Sequence, residues 1–305
     1  MDSKKWLLKA TVMVLISLAS GSAFAQNFGD WEQPTNVGFP VSMTSLDGCP
    51  FISKDGGSLY FASNRAGGYG GNDIYVAQRV EDDWGVPVNL GPFINTASDE
   101  ICPSLTVDGH HLYFVSNRPG CGGQDLYSSR RQDKRQENWE SPINLGCQVN
   151  SAQNDFTPSL FEDDAGVLNL YFSSNRPDGV GGVDIYVSTL QSDGTFSNAT
   201  NVTDLNTTSD DQRPNVRQRD GLEIFFDSNR PGSLGFDLWT SRRETTSTSW
   251  SPPVNLEIVN SPSTEGRPSL SWDGTTLYFH SNRTGTLGSL DIYVSRRPRN
   301  AKLPD

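Results

Sequence analysis

The chain has 305 residues, of which 34% are hydrophobic and 20% charged, and its formal net charge is -12 at pH 7. This composition is typical of a soluble globular protein of one or two domains, and the acidic balance argues against binding to nucleic acid or to anionic lipid. The 29 Gly, 18 Pro and 10% aromatic residues favour short strands with tight turns over helices.

The N-terminal segment differs from the rest of the chain. Three lysines precede an apolar run at residues 10–18, and small residues end in an Ala-Phe-Ala motif just before Gln26. This order predicts a cleavable signal peptide over residues 1–25 and therefore a periplasmic or secreted bacterial protein. The alternative is an uncleaved membrane anchor, for which the apolar run is short. After cleavage we expect no integral membrane segment.

The rest of the chain repeats one pattern of about 54 residues five times. A Trp-x-x-Pro-x-Asn element starts at Trp31, Trp84, Trp139 and Trp250, with Phe196 in its place in one copy. Each copy has an upstream proline: Pro50, Pro103, Pro158, Pro214 and Pro268. A tight turn, Asp-Gly in four of the copies, and an aromatic stretch ending in Ser-Asn-Arg follow each proline. A Gly-rich loop then leads to Asp-Ile-Tyr or a close variant.

These elements predict four short antiparallel strands per copy and an all-β, five-bladed β-propeller over residues 26–297. The expected blades are 47–92, 100–147, 155–204, 211–258, and 265–297 plus 31–38. The first Trp element has no preceding strands and the last copy has no Trp element. We therefore expect the N-terminal strand to complete the last blade and close the ring. Residues 298–305 are expected to form a flexible tail.

The repeated string Pro-Ser-Leu-x-x-Asp-Gly-x-x-Leu-Tyr-Phe-x-Ser-Asn-Arg, followed by Asp-Ile-Tyr-Val-Ser, resembles the TolB-type, WD-like propeller repeat of bacterial envelope proteins. Residues 103–129 and 268–295 show this resemblance best, and the repeats extend over almost all of 31–297. The resemblance implies an envelope-located, non-enzymatic interaction role. It does not carry over the partners of TolB, because the chain has no room for the N-terminal domain of TolB.

An arginine and an aspartate flank the Gly-rich loop in every copy. The pairs are Arg65 and Asp73, Arg118 and Asp125, Arg176 and Asp184, Arg230 and Asp237, and Arg283 and Asp291. Because all five copies share the pair, we interpret it as a structural lock of the loop, through an Arg–carboxylate bond, rather than as a ligand clamp.

An acidic residue lies three positions before each of the five prolines: Asp47, Glu100, Asp155, Asp211 and Glu265. These carboxylates are expected near the mouth of the central channel, where they could hold a cation such as calcium. The alternative is that each accepts backbone N–H bonds and holds the connection between blades. No cofactor is otherwise expected.

Asymmetric positions are the candidates for a specific function. Arg213 and Arg267 precede the proline in adjacent blades and could bind a carboxylate or phosphate, or could neutralise the nearby acids. The same position is cysteine in two other blades. Cys49 and Cys102 are therefore one candidate disulfide and Cys121 and Cys147 another, although other pairings stay open.

No nucleophile elbow, His-based triad or phosphate loop is present, so no catalytic residue is assigned. The sequence favours a monomeric, non-enzymatic module that binds an envelope protein or a cell-wall or extracellular glycan, and no nucleic acid. The alternative is a glycoside hydrolase that uses carboxylates at the channel mouth, since such hydrolysis needs two of them about 5–10 Å apart. Against it, the acidic ring is nearly uniform, whereas catalysis needs unlike carboxylates.

Overall fold

The computed structural model describes residues 28–300, so the predicted signal peptide lies outside the described residues. This part of the chain consists of β-strands, turns and irregular segments, and it contains no helix with the length and apolar character needed to cross a bilayer. Five small antiparallel sheets form a ring, which confirms the predicted five-bladed β-propeller.

Each blade has four strands whose roles repeat around the ring. The outermost strands contain two residues each and are β1 (Thr35–Asn36), β6 (Val88–Asn89), β10 (Ile143–Asn144), β14 (Thr200–Asn201) and β18 (Val254–Asn255). The third strands begin at the aspartate after the Gly-rich loop and are β4 (Asp73–Val80), β9 (Asp125–Arg130), β13 (Asp184–Thr189), β17 (Asp237–Arg242) and β21 (Asp291–Arg296). A further short strand, β5 (Asp83–Trp84), pairs with β4.

The second strands carry the aromatic residues and end at the serine of Ser-Asn-Arg: β3 (Ser58–Ser63), β8 (His111–Ser116), β12 (Leu168–Ser174), β16 (Glu223–Ser228) and β20 (Thr276–Ser281). The innermost strands are β2 (Asp47–Ile52), β7 (Glu100–Leu105), β11 (Asp155–Glu162), β15 (Asp211–Val216) and β19 (Glu265–Leu270). The innermost strands therefore begin at the acidic residue that lies three positions before each proline.

The N-terminal strand completes the last blade. β1 pairs with β21 through Thr35 opposite Val294 and Asn36 opposite Tyr293. Phe28 also forms a β-bridge with Arg299, and the Gly29 N–H donates to the Pro298 carbonyl. Residues 298–300, expected in a flexible tail, are therefore held by the N-terminal segment, while 301–305 lie outside the described residues.

The core lies between neighbouring blades. Strand alternation brings one aromatic residue of a second strand against one of the third strand of the same blade, and four such pairs stack with ring centroids 6.0–6.2 Å apart: Phe61 and Tyr75, Phe114 and Tyr127, Phe172 and Tyr186, and Phe279 and Tyr293. Apolar side chains of adjacent blades pack against each other, as Phe51 and Tyr60 of the first blade do with Leu105 of the second. The ring is thus stabilised mainly by burial between blades.

Candidate functional site

The acidic residue that starts each innermost strand is fully buried and not exposed at the channel mouth. Its carboxylate accepts a hydrogen bond from a backbone N–H of the incoming connection, as Glu100 does from Thr96 at 2.6 Å, and its own N–H bonds the previous blade, as Glu100 does with the Asn72 carbonyl. The expectation of a carboxylate ring lining the mouth is therefore wrong. The structure has the alternative arrangement, in which these groups hold one blade to the next.

The Ser-Asn-Arg arginine is the ion-pair partner of this same carboxylate. The five pairs are Arg65 with Asp47, Arg118 with Glu100, Arg176 with Asp155, Arg230 with Asp211, and Arg283 with Glu265. Each guanidinium also lies over the aromatic pair of its blade, at 5.5 and 5.1 Å from the Phe114 and Tyr127 centroids in the second blade. The arginine is therefore a structural lock, but it stabilises the start of the innermost strand and not the Gly-rich loop.

The aspartate after the Gly-rich loop has other partners than the arginine expected from the sequence. Asp73 accepts backbone N–H bonds from Tyr69 at 2.6 Å and Gly70 at 3.0 Å, and a side-chain bond from Asn89 of the outermost strand at 2.8 Å. No ion pair in residues 28–300 joins this aspartate to the Ser-Asn-Arg arginine of its copy. The predicted Arg–Asp pairing is wrong, because the arginine reaches back to the first strand while the aspartate closes its own loop.

The five carboxylates that start the innermost strands offer few free oxygen atoms to a cation. Each is already bonded to a guanidinium and to backbone, and in the described part of the chain no three His, Cys, Asp or Glu side chains come together in a way that could hold a metal ion. Calcium binding stays a prediction for which these positions provide no ligand set.

The residue before each proline has a left-handed backbone, with φ between 52° and 58°: Cys49, Cys102, Thr157, Arg213 and Arg267. It lies in a β-bulge of the innermost strand, where the register with the second strand shifts. Glycine tolerates this conformation best, whereas a β-branched residue such as Thr157 is strained in it. Bulges re-aim side chains, so this position is where each blade can present a different group at the channel.

The five prolines and several of these bulge residues line the centre of the ring. The cavity that they enclose has a volume of about 20 Å³. A water molecule needs roughly 10–15 Å³ measured in this way, so the channel has room for about one water here.

A polar cluster occupies one side of this region, in the fourth and fifth blades. It consists of Arg213, Asp227, Arg267 and His280, with Cys49 beside it. The Arg213 Nη1 donates to Asp227 Oδ2 at 2.8 Å, and the Arg267 backbone N–H donates to Asp227 Oδ1 at 3.1 Å. The Arg267 Nη1 lies 2.6 Å from Cys49 Sγ. The two arginines thus come together, as the sequence suggested, but around a carboxylate outside the predicted acidic ring.

Burial shifts the protonation of Asp227 and His280 in opposite directions. Burial raises the pKa of Asp227 to about 7, although Arg213 opposes this shift. Burial, and then the charges of Arg213 and Arg267, hold the pKa of His280 well below its usual range. Near neutral pH this region therefore contains a carboxyl that is easily protonated and an imidazole that is neutral.

Two glycines, Gly48 and Gly266, lie so close to His280 and Asp227 that a larger side chain would not fit at either position. A Cβ on Gly266 would lie 2.9 Å from His280 Nε2 and 3.2 Å from Asp227 Oδ1, and a Cβ on Gly48 would lie 2.9 Å from His280 Nδ1. His280 Nε2 and Asp227 Oδ1 thus both lie close to the Gly266 Cβ position. The distance between these two atoms cannot exceed the sum of 2.9 Å and 3.2 Å. Any larger residue at Gly266 would also meet Arg213, whose Nη1 lies 2.8 Å from that point.

Unpartnered polar atoms concentrate in the channel region. Within residues 28–300, four buried side-chain atoms lack a hydrogen-bond partner, and three of them belong to it: Thr157 Oγ1, Arg213 Nε and His280 Nδ1. Buried polar atoms are normally paired, since leaving one unpaired costs about 1–3 kcal/mol. Their concentration here distinguishes the channel region from the rest of residues 28–300.

Sequence reasoning missed Asp227 and His280. Both precede the serine of Ser-Asn-Arg, where the other copies have Ala62, Val115 and Ser173. The departure from the repeat was therefore visible, but nothing in the sequence showed that this position faces Arg213 and Arg267 across the blades.

The cysteines form one disulfide and one close thiol pair. Cys121 and Cys147 are bonded, with Cα atoms 5.6 Å apart, and the bridge joins the Gly-rich loop of the second blade to the segment after its outermost strand. Cys49 and Cys102 are buried free thiols whose sulfurs lie 2.8 Å apart. Burial raises the pKa of the Cys49 thiol, against the effect of Arg267.

No protein-family model and no curated protein matches this sequence. Among solved structures, the chain is similar to a thermostable family-43 glycoside hydrolase, with 15% identity, a TM-score of 0.58 and coverage of 86% of this chain and 91% of that one. It is also similar to the α-L-arabinofuranosidase of Lactobacillus brevis, at 16% identity and a TM-score of 0.57 over 85% of this chain and 92% of that one. The catalytic domain of the GH62 α-L-arabinofuranosidase of Coprinopsis cinerea matches at 12% identity and a TM-score of 0.58, over 89% and 98%.

At these identities the likeness shows the fold alone. It nevertheless corrects the interpretation drawn from the repeat strings, because the similar solved structures are glycoside hydrolases and not TolB-type, WD-like propellers. The expectation of a non-enzymatic binding module, drawn from that resemblance, the absence of catalytic motifs and the uniform acidic ring, is corrected by the same structures. What the structure adds is a buried, asymmetric acid–base cluster at the centre of a propeller that solved enzymes share.

Proposed function

We propose that this protein is a glycoside hydrolase whose reacting groups are Asp227 and His280 at the channel mouth between the fourth and fifth blades. The observation that carries the proposal is that Asp227 Oδ1 and His280 Nε2 both lie against the Gly266 position, with the unpartnered Arg213 Nε and His280 Nδ1 in the same cluster. The fold of arabinose-releasing hydrolases supports it. The acidic ring of the alternative sequence hypothesis is not used, since its carboxylates are buried in ion pairs.

The reaction follows from the two protonation states. Protonated Asp227 donates its proton to the oxygen of the leaving group as the glycosidic C–O bond breaks. Neutral His280 accepts a proton from the water that forms the new C–O bond, and the proton then returns to Asp227 through solvent. Two groups whose environments push their pKa values apart are suited to such roles. Most glycosidases use two carboxylates, so the imidazole base is this chain's own departure.

Arg213 governs access to the carboxyl. Asp227 is fully buried, whereas the Arg213 side chain is 19% exposed and bonds it directly. A substrate therefore reaches Asp227 only when the Arg213 guanidinium moves from Asp227 to the substrate. That exchange removes the charge that favours ionised Asp227, and so it raises the pKa of Asp227 and keeps the carboxyl protonated when substrate is bound.

The proposal is tested with 4-nitrophenyl α-L-arabinofuranoside and with arabino-oligosaccharides, since two of the similar structures are α-L-arabinofuranosidases. Asp227→Asn and His280→Gln should each lower kcat/KM on the oligosaccharides on the order of 10²–10⁴-fold. Asp227→Asn should lose less on the nitrophenyl substrate, whose leaving group needs little protonation. Asp193→Asn, an exposed change of the same chemistry, is the matched control.

The pH profile gives a second readout. Activity should fall as pH rises through about 7, because the Asp227 proton is lost there. The acidic limb should lie well below 6.5, where His280 becomes protonated. Hydrolysis by Asp227→Asn equal to that of the Asp193→Asn control, or no hydrolysis of any pentoside by the folded wild type, would refute the proposal.

A further inference from the structure

Two cavities lie side by side on the face of the propeller opposite the Asp227 cluster. The first, of about 330 Å³, lies between the β15–β16 turn, the β19–β20 turn and the paired chain ends, and Phe28, Arg217, Arg219 and Arg299 line it. The second, of about 320 Å³, lies on the other side of the β19–β20 turn. Asp273 borders both cavities.

The first cavity is basic although the protein is acidic. Three guanidiniums line it against two carboxylates, Asp220 and Asp273. Both carboxylates are already bonded: Asp220 accepts from Arg217 Nε at 2.7 Å, and Asp273 accepts from Ser271 Oγ at 2.6 Å. In a chain of net charge -12, a local excess of guanidinium is a departure that attracts anions to one place.

Arg217 forms ion pairs with Asp220 and Glu223, so the donors available to a ligand in this cavity are those of Arg219 and Arg299. Arg219 is exposed, and within residues 28–300 it forms no hydrogen bond or ion pair. Arg299 donates through Nη2 to the Asp273 carbonyl at 2.6 Å. A planar guanidinium fork binds a carboxylate through two parallel hydrogen bonds, so these side chains are suited to a carboxylate ligand.

The second cavity adds an aromatic surface and two more cations, Lys54 and Arg79, beside the carboxylates of Asp55 and Asp273. Trp272 lines it, with the Lys54 ammonium 4.5 Å from the centroid of the ring, and Arg79 lies at its edge. Because the Lys54 ammonium lies over the Trp272 ring, a sugar ring can stack on that face when its carboxylate draws Lys54 aside. The other four blades have no tryptophan at the equivalent position of the turn.

We propose that the two cavities together form a binding site for an acidic oligosaccharide. Its carboxylates pair with Arg219 and Arg299 in the first cavity and with Lys54 in the second, and one sugar ring stacks on Trp272. Because one turn separates the cavities, the ligand spans at least two sugar units. An innermost strand of six residues is about 20 Å long, so this site is separate from the Asp227 cluster at the strand's other end.

Binding of tri-galacturonate, measured by isothermal titration calorimetry, tests the proposal without any turnover. We expect saturable binding at 50 mM NaCl that weakens several-fold at 300 mM NaCl, because the contacts are ionic. Arg219→Ala and Trp272→Ala should each weaken binding about 10-fold. Arg135→Ala is the matched control, since Arg135 is an exposed arginine in the second blade with a side chain that is 84% exposed.

The proposal would be overturned by a lack of tri-galacturonate binding, by equal weakening from Arg135→Ala and Arg219→Ala, or by competition from inorganic phosphate as strong as that from the trisaccharide. A neutral arabinotriose that bound equally well would also overturn it. Because binding does not depend on hydrolysis, its failure would leave the proposed activity of Asp227 untouched, and loss of that activity would leave this site standing.

Discussion

Replacing Arg118 with alanine should test the repeated lock between the second and first strands. The Arg118 Nη2 lies 2.8 Å from Glu100 Oε1 and also donates to the Ile94 carbonyl at 2.8 Å, while Nε donates to Ser116 Oγ at 3.0 Å. The guanidinium is 18% exposed, whereas the carboxylate of Glu100 is fully buried. Arg118→Ala therefore leaves a buried carboxylate and a carbonyl without their cation.

Removing one partner of a buried ion pair costs about 3–5 kcal/mol. Glu100 keeps its bonds from the Thr96 N–H at 2.6 Å, the Thr96 hydroxyl at 2.8 Å and the Ser116 hydroxyl at 2.9 Å. We therefore expect the lower end, about 3 kcal/mol. The free energy of unfolding of a globular domain is about 5–15 kcal/mol, so this loss would be a large fraction of the total stability.

The assay is urea unfolding at pH 7, followed by tryptophan fluorescence, for a double-mutant cycle of Arg118→Ala and Glu100→Gln. The double variant should lose less stability than the sum of the single variants, because neither charge then remains unpaired. Arg135→Ala, which removes an exposed pair, should leave the free energy of unfolding nearly unchanged. An Arg118→Ala loss no larger than that of Arg135→Ala, or strict additivity in the cycle, would refute the assignment of the lock.

Two further predictions concern ring closure and the thiol pair. Trp31→Ala should lower the free energy of unfolding by about 2 kcal/mol. This is less than the loss for a fully buried tryptophan, because Trp31 is only partly buried against Phe225. Deletion of residues 28–38 should lower the melting temperature much further, and an unchanged melting temperature would contradict closure by β1. Mild oxidation should join Cys49 and Cys102, and non-reducing peptide mapping should find that bridge beside Cys121–Cys147. Two alkylatable thiols left after oxidation would count against it.

The blades could be derived from the sequence because their sequence motifs are local and repeated. Proline, Asp-Gly, Ser-Asn-Arg and Asp-Ile-Tyr recur at nearly constant spacing, and each has a conformational meaning that does not depend on the rest of the chain. The offset of the Trp elements at the two ends was enough to predict that Thr35–Asn36 would pair with the last blade.

The partners of the repeated charged residues could not be derived in this way. Arg118 is seven residues from Asp125 and eighteen from Glu100, and sequence proximity favoured the wrong one. The arginine follows the second strand, which runs antiparallel to the first, and this pairing brings it back to Glu100 at the start of the first strand. The hydrogen-bonded register of the first and second strands therefore determines which carboxylate Arg118 contacts, whereas spacing along the chain does not.

The candidate site shows the same division. The sequence by itself determined that the copies differ at Arg213, Asp227, Arg267 and His280, because substitutions within a repeat are visible without a structure. Only the tertiary structure decided that these positions, from two blades, come together beside Gly266 and that Asp227 and His280 are buried there. Burial and proximity depend on how the blades pack around the ring, and these two quantities set the protonation of Asp227 and His280.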